Sequence, residues 1–195
     1  MCEQFSNKEE NRARKKGRLP GIGGQVPKPE SQVFSQAEKE AFMREALVEA
    51  RRAASLGEVP IGAVIVREGK IIARGHNLTE TNHDPTEHAE MRAIRAAAEQ
   101  LGGWRLAGCC MFVTCEPCSM CAGALVWSRI ETLYIGAMDP TAGACGSVFN
   151  IAGSGRLNHT VRIEQGILEE ECGAELRAFF AGLRSKRKKK TVSEE

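Results

Sequence analysis

Apolar residues recur along this chain with two periods, and the switches between them mark its elements. Ser35-Gln36-Ala37-Glu38 has the form of a capping box, and Phe42, Ala46, Ala50 and Ala53 follow at helical spacing up to Gly57. Two β runs come next, residues 61–67 and 70–77, joined by Glu68-Gly69 as a hairpin turn. Asp84 as N-cap, Pro85 at the first helical position and Glu87 closing a second capping box predict another helix. Its apolar face would be Met91, Ile94, Ala98 and Leu101. Residues 109–114 read as a buried strand, Pro117 opens a helix to about Ser128, and residues 132–137 form a second buried strand. A strand–helix–strand unit of this kind is expected to be parallel and right-handed. A Gly-rich loop spans residues 138–155, a strand covers about 161–164, and a last helix runs from about Ile167 to Leu183. The order αββαβαββα predicts an α/β fold, a three-layer α-β-α sandwich with a central mixed five-stranded sheet.

Before Ser35 no period survives, and Pro20, Gly21, Gly23, Gly24, Pro27 and Pro29 are mixed with charged residues. Residues 1–34 are therefore expected to be a flexible extension, 35–184 one folded domain, and 185–195 a basic tail. The Gly-Ile-Gly-Gly stretch at 21–24 lacks the strand and glycine spacing of a dinucleotide fingerprint. No apolar run approaches the roughly 18 residues of a membrane span. Glu3, Glu9 and Glu10 argue against a transit peptide, and no secretory h-region is present, so a cytoplasmic protein is expected.

The net charge of +2 conceals an asymmetry. Residues 1–35 hold seven basic and four acidic side chains, and 184–190 hold six basic and none acidic. Residues 36–183 hold 14 basic against 19 acidic, so the folded part alone gives no sign of binding a polyanion. The run Arg184, Lys186, Arg187, Lys188, Lys189, Lys190 suits phosphate contacts and equally suits a solubilising end. Eight cysteines in a chain with no export signal, three of them at 115, 118 and 121, point to metal chemistry before disulfides.

The sharpest signal is His88-Ala89-Glu90 followed thirty positions later by Pro117-Cys118-Ser119-Met120-Cys121. One imidazole and two thiolates, His88, Cys118 and Cys121, supply three ligands for zinc and leave a fourth position open, as in catalytic sites. All three would sit in first helical turns, where the helix dipole favours thiolate. Glu90, roughly opposite His88 on an ideal helix, is poorly placed as a ligand and suits a general base and acid. A closed structural site that adds Cys115 to the three is the competing reading, against which Cys115 closes a strand where it suits packing as a small apolar group; Cys109, Cys110, Cys145 and Cys172 read as packing residues too. His76, His83 and His159 suit surface or local hydrogen-bonding roles.

The H-x-E and P-C-x-x-C pair is the signature of zinc deaminases of nucleobases. The flanks go further: Val59-Pro60-Ile61-Gly62-Ala63-Val64, Gly75-His76-Asn77, His83-Asp84-Pro85-Thr86-Glu87-His88-Ala89-Glu90 and the run from Thr114 through Ala124 resemble the bacterial tRNA adenosine deaminases. The likeness covers about residues 36–184. It implies a cytidine deaminase-like fold and a zinc-dependent homodimer that converts adenosine to inosine at the wobble position of a tRNA anticodon stem-loop. Zn2+ would sit on His88, Cys118 and Cys121 and activate the water that attacks C6, with Glu90 moving protons to N1 and then to the departing ammonia. Asn77, Ala89, Asp139 and Phe180 would contact the substrate, with the last helix, including Phe179 and Arg184, near the anticodon loop. From the residues alone, Asn77 equally suits a turn, Asp139 before Pro140 a turn initiator, and one of the two adjacent aromatics the core. Cys115 stands where an apolar residue is usual, and Met138 where a basic one is. A free guanine or cytosine deaminase shares the same metal site, and a zinc-stabilised RNA-binding module without catalysis is the reading from another class.

Overall fold

The structure, a computed structural model, describes residues 33–192. The first helix, α1 (Gln36–Ser55), begins with the expected capping box: the Glu38 N–H donates to Ser35 Oγ, and the Ser35 N–H donates to the Glu38 carboxylate at 2.8 Å. It ends where expected, with Gly57 at φ 83° beyond the cap. Strands β1 (Gly62–Arg67) and β2 (Lys70–His76) pair antiparallel through Glu68 and Gly69, both at positive φ as a two-residue hairpin turn requires. A short helix, α2 (Thr79–Asn82), precedes α3 (Ala89–Leu101). Then come β3 (Cys109–Cys115), α4 (Ser119–Ser128), β4 (Thr132–Ala137), β5 (Arg162–Glu164) and α5 (Glu169–Val192).

The sheet order is β2-β1-β3-β4-β5, with β1 antiparallel to β2 and β3, and β4 parallel to β3 and β5. It is the expected mixed five-stranded sheet. Alternation along the strands builds two cores. Ala63, Ile65, Met111, Val113, Leu133 and Ile135 point to one face, which α3 covers with Ala89, Ala93 and Ala97 and α4 with Ala122, Leu125 and Val126. Val64, Val66, Phe112 and Tyr134 point to the other, under Met43, Ala46 and Leu47 of α1 and Cys172 of α5. Phe112 and Tyr134 stack at 4.4 Å between centroids at the centre of that second core. These are the three layers predicted.

Several boundaries differ. Phe34 is buried against Phe42, Phe112 and Tyr134, so the ordered chain includes this residue of the expected extension; residues 1–32 lie outside those described. The helix after residue 84 starts at Ala89, one turn later than its sequence signals suggest. Asp84 makes a turn instead, its Oδ1 accepting from the Thr86 N–H at 2.7 Å, and Glu87 binds Asn82, Arg92 and Arg95 rather than closing a box. The buried face of α3 is the Ala89/Ala93/Ala97 stripe, while Met91, Ile94, Ala98 and Leu101 are half-buried. Alanines win because the sheet lies so close. A Cβ on Gly75 of β2 would fall 2.2 Å from the Ala89 carbonyl oxygen. The last helix runs nine residues past Leu183, so the basic run 184–190 is helical rather than a loose tail.

Candidate metal centre

The carboxyl ends of β2 and β3 and the start of β1 lie at one edge of the sheet, and two helix N-termini are brought to that edge. His88 is the N-cap of α3, extended at φ −72° and ψ 154°; Cys118 is the N-cap of α4, extended at φ −68° and ψ 176°. The sequence signals place both inside a first helical turn, and cross-links hold them outside it. Leu78 N–H donates to the Glu87 carbonyl at 3.0 Å, and the Ala89 N–H donates to Asn77 Oδ1 at 2.9 Å, so the chain leaving β2 grips the segment on either side of His88. On the other side, Glu116 N–H donates to the Ala137 carbonyl at 2.8 Å, and Ala144 N–H donates to the Pro117 carbonyl at 2.9 Å. The sequence signals for helix starts are satisfied only after these tertiary bonds are.

The His88 Nδ1 lies 3.7 Å from Cys118 Sγ and 3.6 Å from Cys121 Sγ, and the three ligand atoms fall within 4.8 Å of one another. Zn–S bonds of about 2.3 Å and Zn–N bonds of about 2.05 Å at a tetrahedral angle put nitrogen and sulfur about 3.6 Å apart. The donor set and its spacing therefore fit one zinc ion, with Nδ1 as the histidine ligand. Among the described residues this is the one such group of His, Cys, Asp and Glu, and Cys115 is not in it. Burial pushes the Cys115 and Cys145 thiols up to about 12, as suits packing residues. Cys118 is the opposite case. The hydrogen bond from the Cys121 thiol and the neighbouring His88 bring it down to about 4, while the Cys121 thiol is pushed up beside that thiolate. The Cys118 hydrogen bond likewise raises His88. Without metal the cluster keeps protons that a divalent ion would displace.

Glu90 is 3% exposed, and its Oε2 is buried without a hydrogen-bond partner. Burial raises its carboxyl well above the usual range, against the pull of His88. The ideal-helix argument sets Glu90 opposite His88. Because His88 is extended, that angle does not apply, and the carboxyl faces the Cys121 thiol. A buried carboxyl set beside a ligand cluster, with one oxygen left without a partner, is the mark of a group kept for chemistry.

The remaining expected site residues are spread more widely. Asn77 is buried, with Oδ1 on the Ala89 N–H; Ala89 itself has a fully buried side chain. Asp139 follows β4, and its Oδ1 accepts from the Thr141 N–H at 2.8 Å, the Thr141 hydroxyl and the Ala142 N–H. Phe180 on α5 is exposed and meets the half-buried Phe179 edge to face at 5.5 Å. The three other histidines have local roles: His76 bonds Glu49, His159 bonds the Ile130 carbonyl, and His83 caps α2 at φ 51°. Sequence reasoning missed Glu116, a buried carboxylate two residues before Cys118.

A family model for the cytidine and deoxycytidylate deaminase zinc-binding region matches residues 36–137. The tRNA-specific adenosine deaminase of Bacillus subtilis is 51% identical over 157 residues, covering 80% of this chain and 98% of that protein. A solved structure from work on A-to-I editing by tRNA:A34 deaminases at the wobble position of transfer RNA superposes with a TM-score of 0.68 at 46% identity, covering 70% of this chain and 99% of that one. A guanine deaminase from Nitrosomonas europaea gives a TM-score of 0.66 at 25% identity, over 79% and 90% of the two chains. Adenosine and guanine deaminases thus share this frame, and the identity is higher on the adenosine side. With His88, Glu90, Cys118 and Cys121 gathered at two helix N-termini, the chain belongs to the tRNA-specific adenosine deaminases within the cytidine and deoxycytidylate deaminase zinc-binding family.

Proposed function

We propose that this protein hydrolyses the 6-amino group of the wobble adenosine in a tRNA anticodon, giving inosine and ammonia. The observation that carries the reading is the buried Glu90 carboxyl, its Oε2 without a hydrogen-bond partner, beside an imidazole and two thiols at zinc-ligand spacing. His88, Cys118 and Cys121 would hold one Zn2+ per chain. When bound, the ion supplies the Lewis acidity that makes water a nucleophile near neutral pH. Glu90 takes the proton from the attacking water and returns it to N1 of the adenine. It then takes the remaining proton from the oxygen newly bonded to C6 and delivers it to the amino group as the C6–N6 bond breaks, leaving the C6 carbonyl and ammonia. Its burial matches that work, because burial raises the carboxyl above its ordinary value and so makes it a better proton acceptor. Asn77 would orient the base, with Ala89 acting at one remove by fixing the Asn77 side chain. Asp139 and Phe180 would meet the flanking nucleotides.

A homodimer belongs to the same reading. The exposed apolar side chains of Trp127, Val148 and Phe149 support it, since a second copy would give them cover. In this reading the enzyme works in the cytoplasm, where its substrate is. Among the described residues no helix is long and apolar enough to cross a membrane.

The test is inosine formation in an anticodon stem-loop RNA with adenosine at the wobble position, at one stated salt concentration. Wild type should form inosine, and Glu90→Ala should lose it by about 10²–10⁴-fold while keeping its zinc, the range that positioned proton transfer contributes. Wild-type protein that is folded and zinc-loaded yet makes no inosine, while deaminating free guanine, would reverse the substrate assignment.

A further inference from the structure

Glu116 takes no part in the chemistry above, yet it is 4% exposed and lies between β3 and the Cys118 turn. Four donors converge on its carboxylate. Oε2 accepts from the Asp139 N–H at 3.0 Å and from the Ser147 hydroxyl; Oε1 accepts from the Cys145 N–H at 2.9 Å and the Ser147 N–H at 3.0 Å. All four belong to the loop after β4, and none to the elements that carry the zinc ligands. The same loop crosses the metal turn, where Gly143 forms a β-bridge with Cys118 and Ala144 N–H donates to the Pro117 carbonyl.

Gly143 shows how closely loop and carboxylate are fitted. A Cβ there would fall 2.1 Å from Glu116 Oε2 and 2.5 Å from the Asp139 carbonyl oxygen. Asp139 spends its own Oδ1 inside the loop, so its backbone N–H is what ties it to Glu116. Hydrogen bonds to an ionised acceptor are roughly twice as strong as neutral ones. Placing four of them here fixes one loop against one metal-ligand turn.

We propose that Glu116 is a positioning residue for the deamination: it holds the 139–147 loop against the Cys118 turn, and the loop so held seats the substrate. This rests on the deaminase reading. Glu116→Gln is the informative change, because the amide places a donor where the carboxylate offers an acceptor. Whichever way it turns, at least one loop N–H loses its partner. The ligands and Glu90 are untouched, so the loss should fall on substrate seating.

Zinc content, Tm, KM and kcat would be measured for wild type, Glu116→Gln and Ser147→Ala with the wobble stem-loop RNA. One zinc per chain in every protein is expected, with KM raised about tenfold in Glu116→Gln, less in Ser147→Ala, and kcat within about threefold of wild type, the pattern of lost uniform binding. Wild-type KM in both variants overturns the proposal. So does activity that falls only in step with zinc content, which would make the carboxylate a support for the metal turn. If Glu116→Gln does not fold, Ser147→Ala decides alone, and a wild-type KM there overturns the proposal. Failure of the deaminase reading looks different, since wild type itself would make no inosine.

Discussion

Asn77 joins structure and function at one side chain. Its Oδ1 accepts the Ala89 N–H at 2.9 Å in a buried setting, tying the end of β2 to the first turn of α3. Truncation to alanine leaves that N–H buried and unpaired, at a cost of about 1–3 kcal/mol. Asn77→Asp keeps the acceptor, and its negative charge is tolerated near a helix N-terminus. Asn77→Ala should therefore lower Tm and kcat/KM together, while Asn77→Asp should lower kcat/KM with Tm near wild type. Wild-type kcat/KM in the aspartate variant would reduce Asn77 to the turn residue its sequence also allows. The contrast with Glu116 explains what is legible at this scale. His88, Glu90, Cys118 and Cys121 announce themselves because ligand chemistry demands particular residue types at short fixed spacings. Glu116 is one more glutamate beside a proline, and its donors lie 23 to 31 residues further on, in a loop without period. Nothing local in the sequence distinguishes a buried acceptor of that kind.

The elements themselves are legible wherever one period covers them: α1 with its capping box, the β1–β2 hairpin and the buried pair β3 and β4. Helix starts are not legible at α3 and α4, since Asp84 and Pro117 carry proper start signals that tertiary bonds override. The short α2 also escapes, having four residues and no apolar face. What holds it is Glu58, just beyond α1, almost wholly buried and accepting the N–H groups of Glu80 and Thr81 at 3.2 and 2.6 Å. Burial alone would raise the Glu58 carboxyl, but the Thr81 and Glu80 donors outweigh it and hold it below its ordinary 4.5. A carboxyl depressed on folding adds stability that is present above the unfolded value and lost as pH falls through the folded one. Wild type should therefore exceed Glu58→Gln in denaturant midpoint at pH 7, with the gap closing below about pH 4.5. A gap that stays constant from pH 7 to pH 3 would show that the carboxylate charge contributes nothing to fastening α2.

At the scale of the whole molecule, the charge pattern sets a problem for any polyanionic substrate. Residues 36–183 are formally −5, with 14 basic side chains against 19 acidic, so the folded body repels RNA at long range. The compensating charge is at the chain ends, and at the carboxyl end it is attached to structure: α5, which packs on β4 and β3, continues as helix to Val192. Lys186, Arg187, Lys188, Lys189 and Lys190 are thereby joined to the folded domain by continuous helix instead of a free chain. A helical mount also fits the exposed Phe180 earlier on the same element, which offers a base a surface to stack on. Ending the chain after Ser185 should raise KM for the stem-loop and flatten its salt dependence, by about 0.7–0.9 in the log–log slope for each phosphate no longer neutralised. The kcat at saturating RNA should stay near wild type, because His88, Glu90, Cys118 and Cys121 are held by α3, α4 and their flanking turns and keep their geometry. An unchanged salt slope would assign the basic run to solubility and require the positive surface for RNA to come from arginines on the folded body.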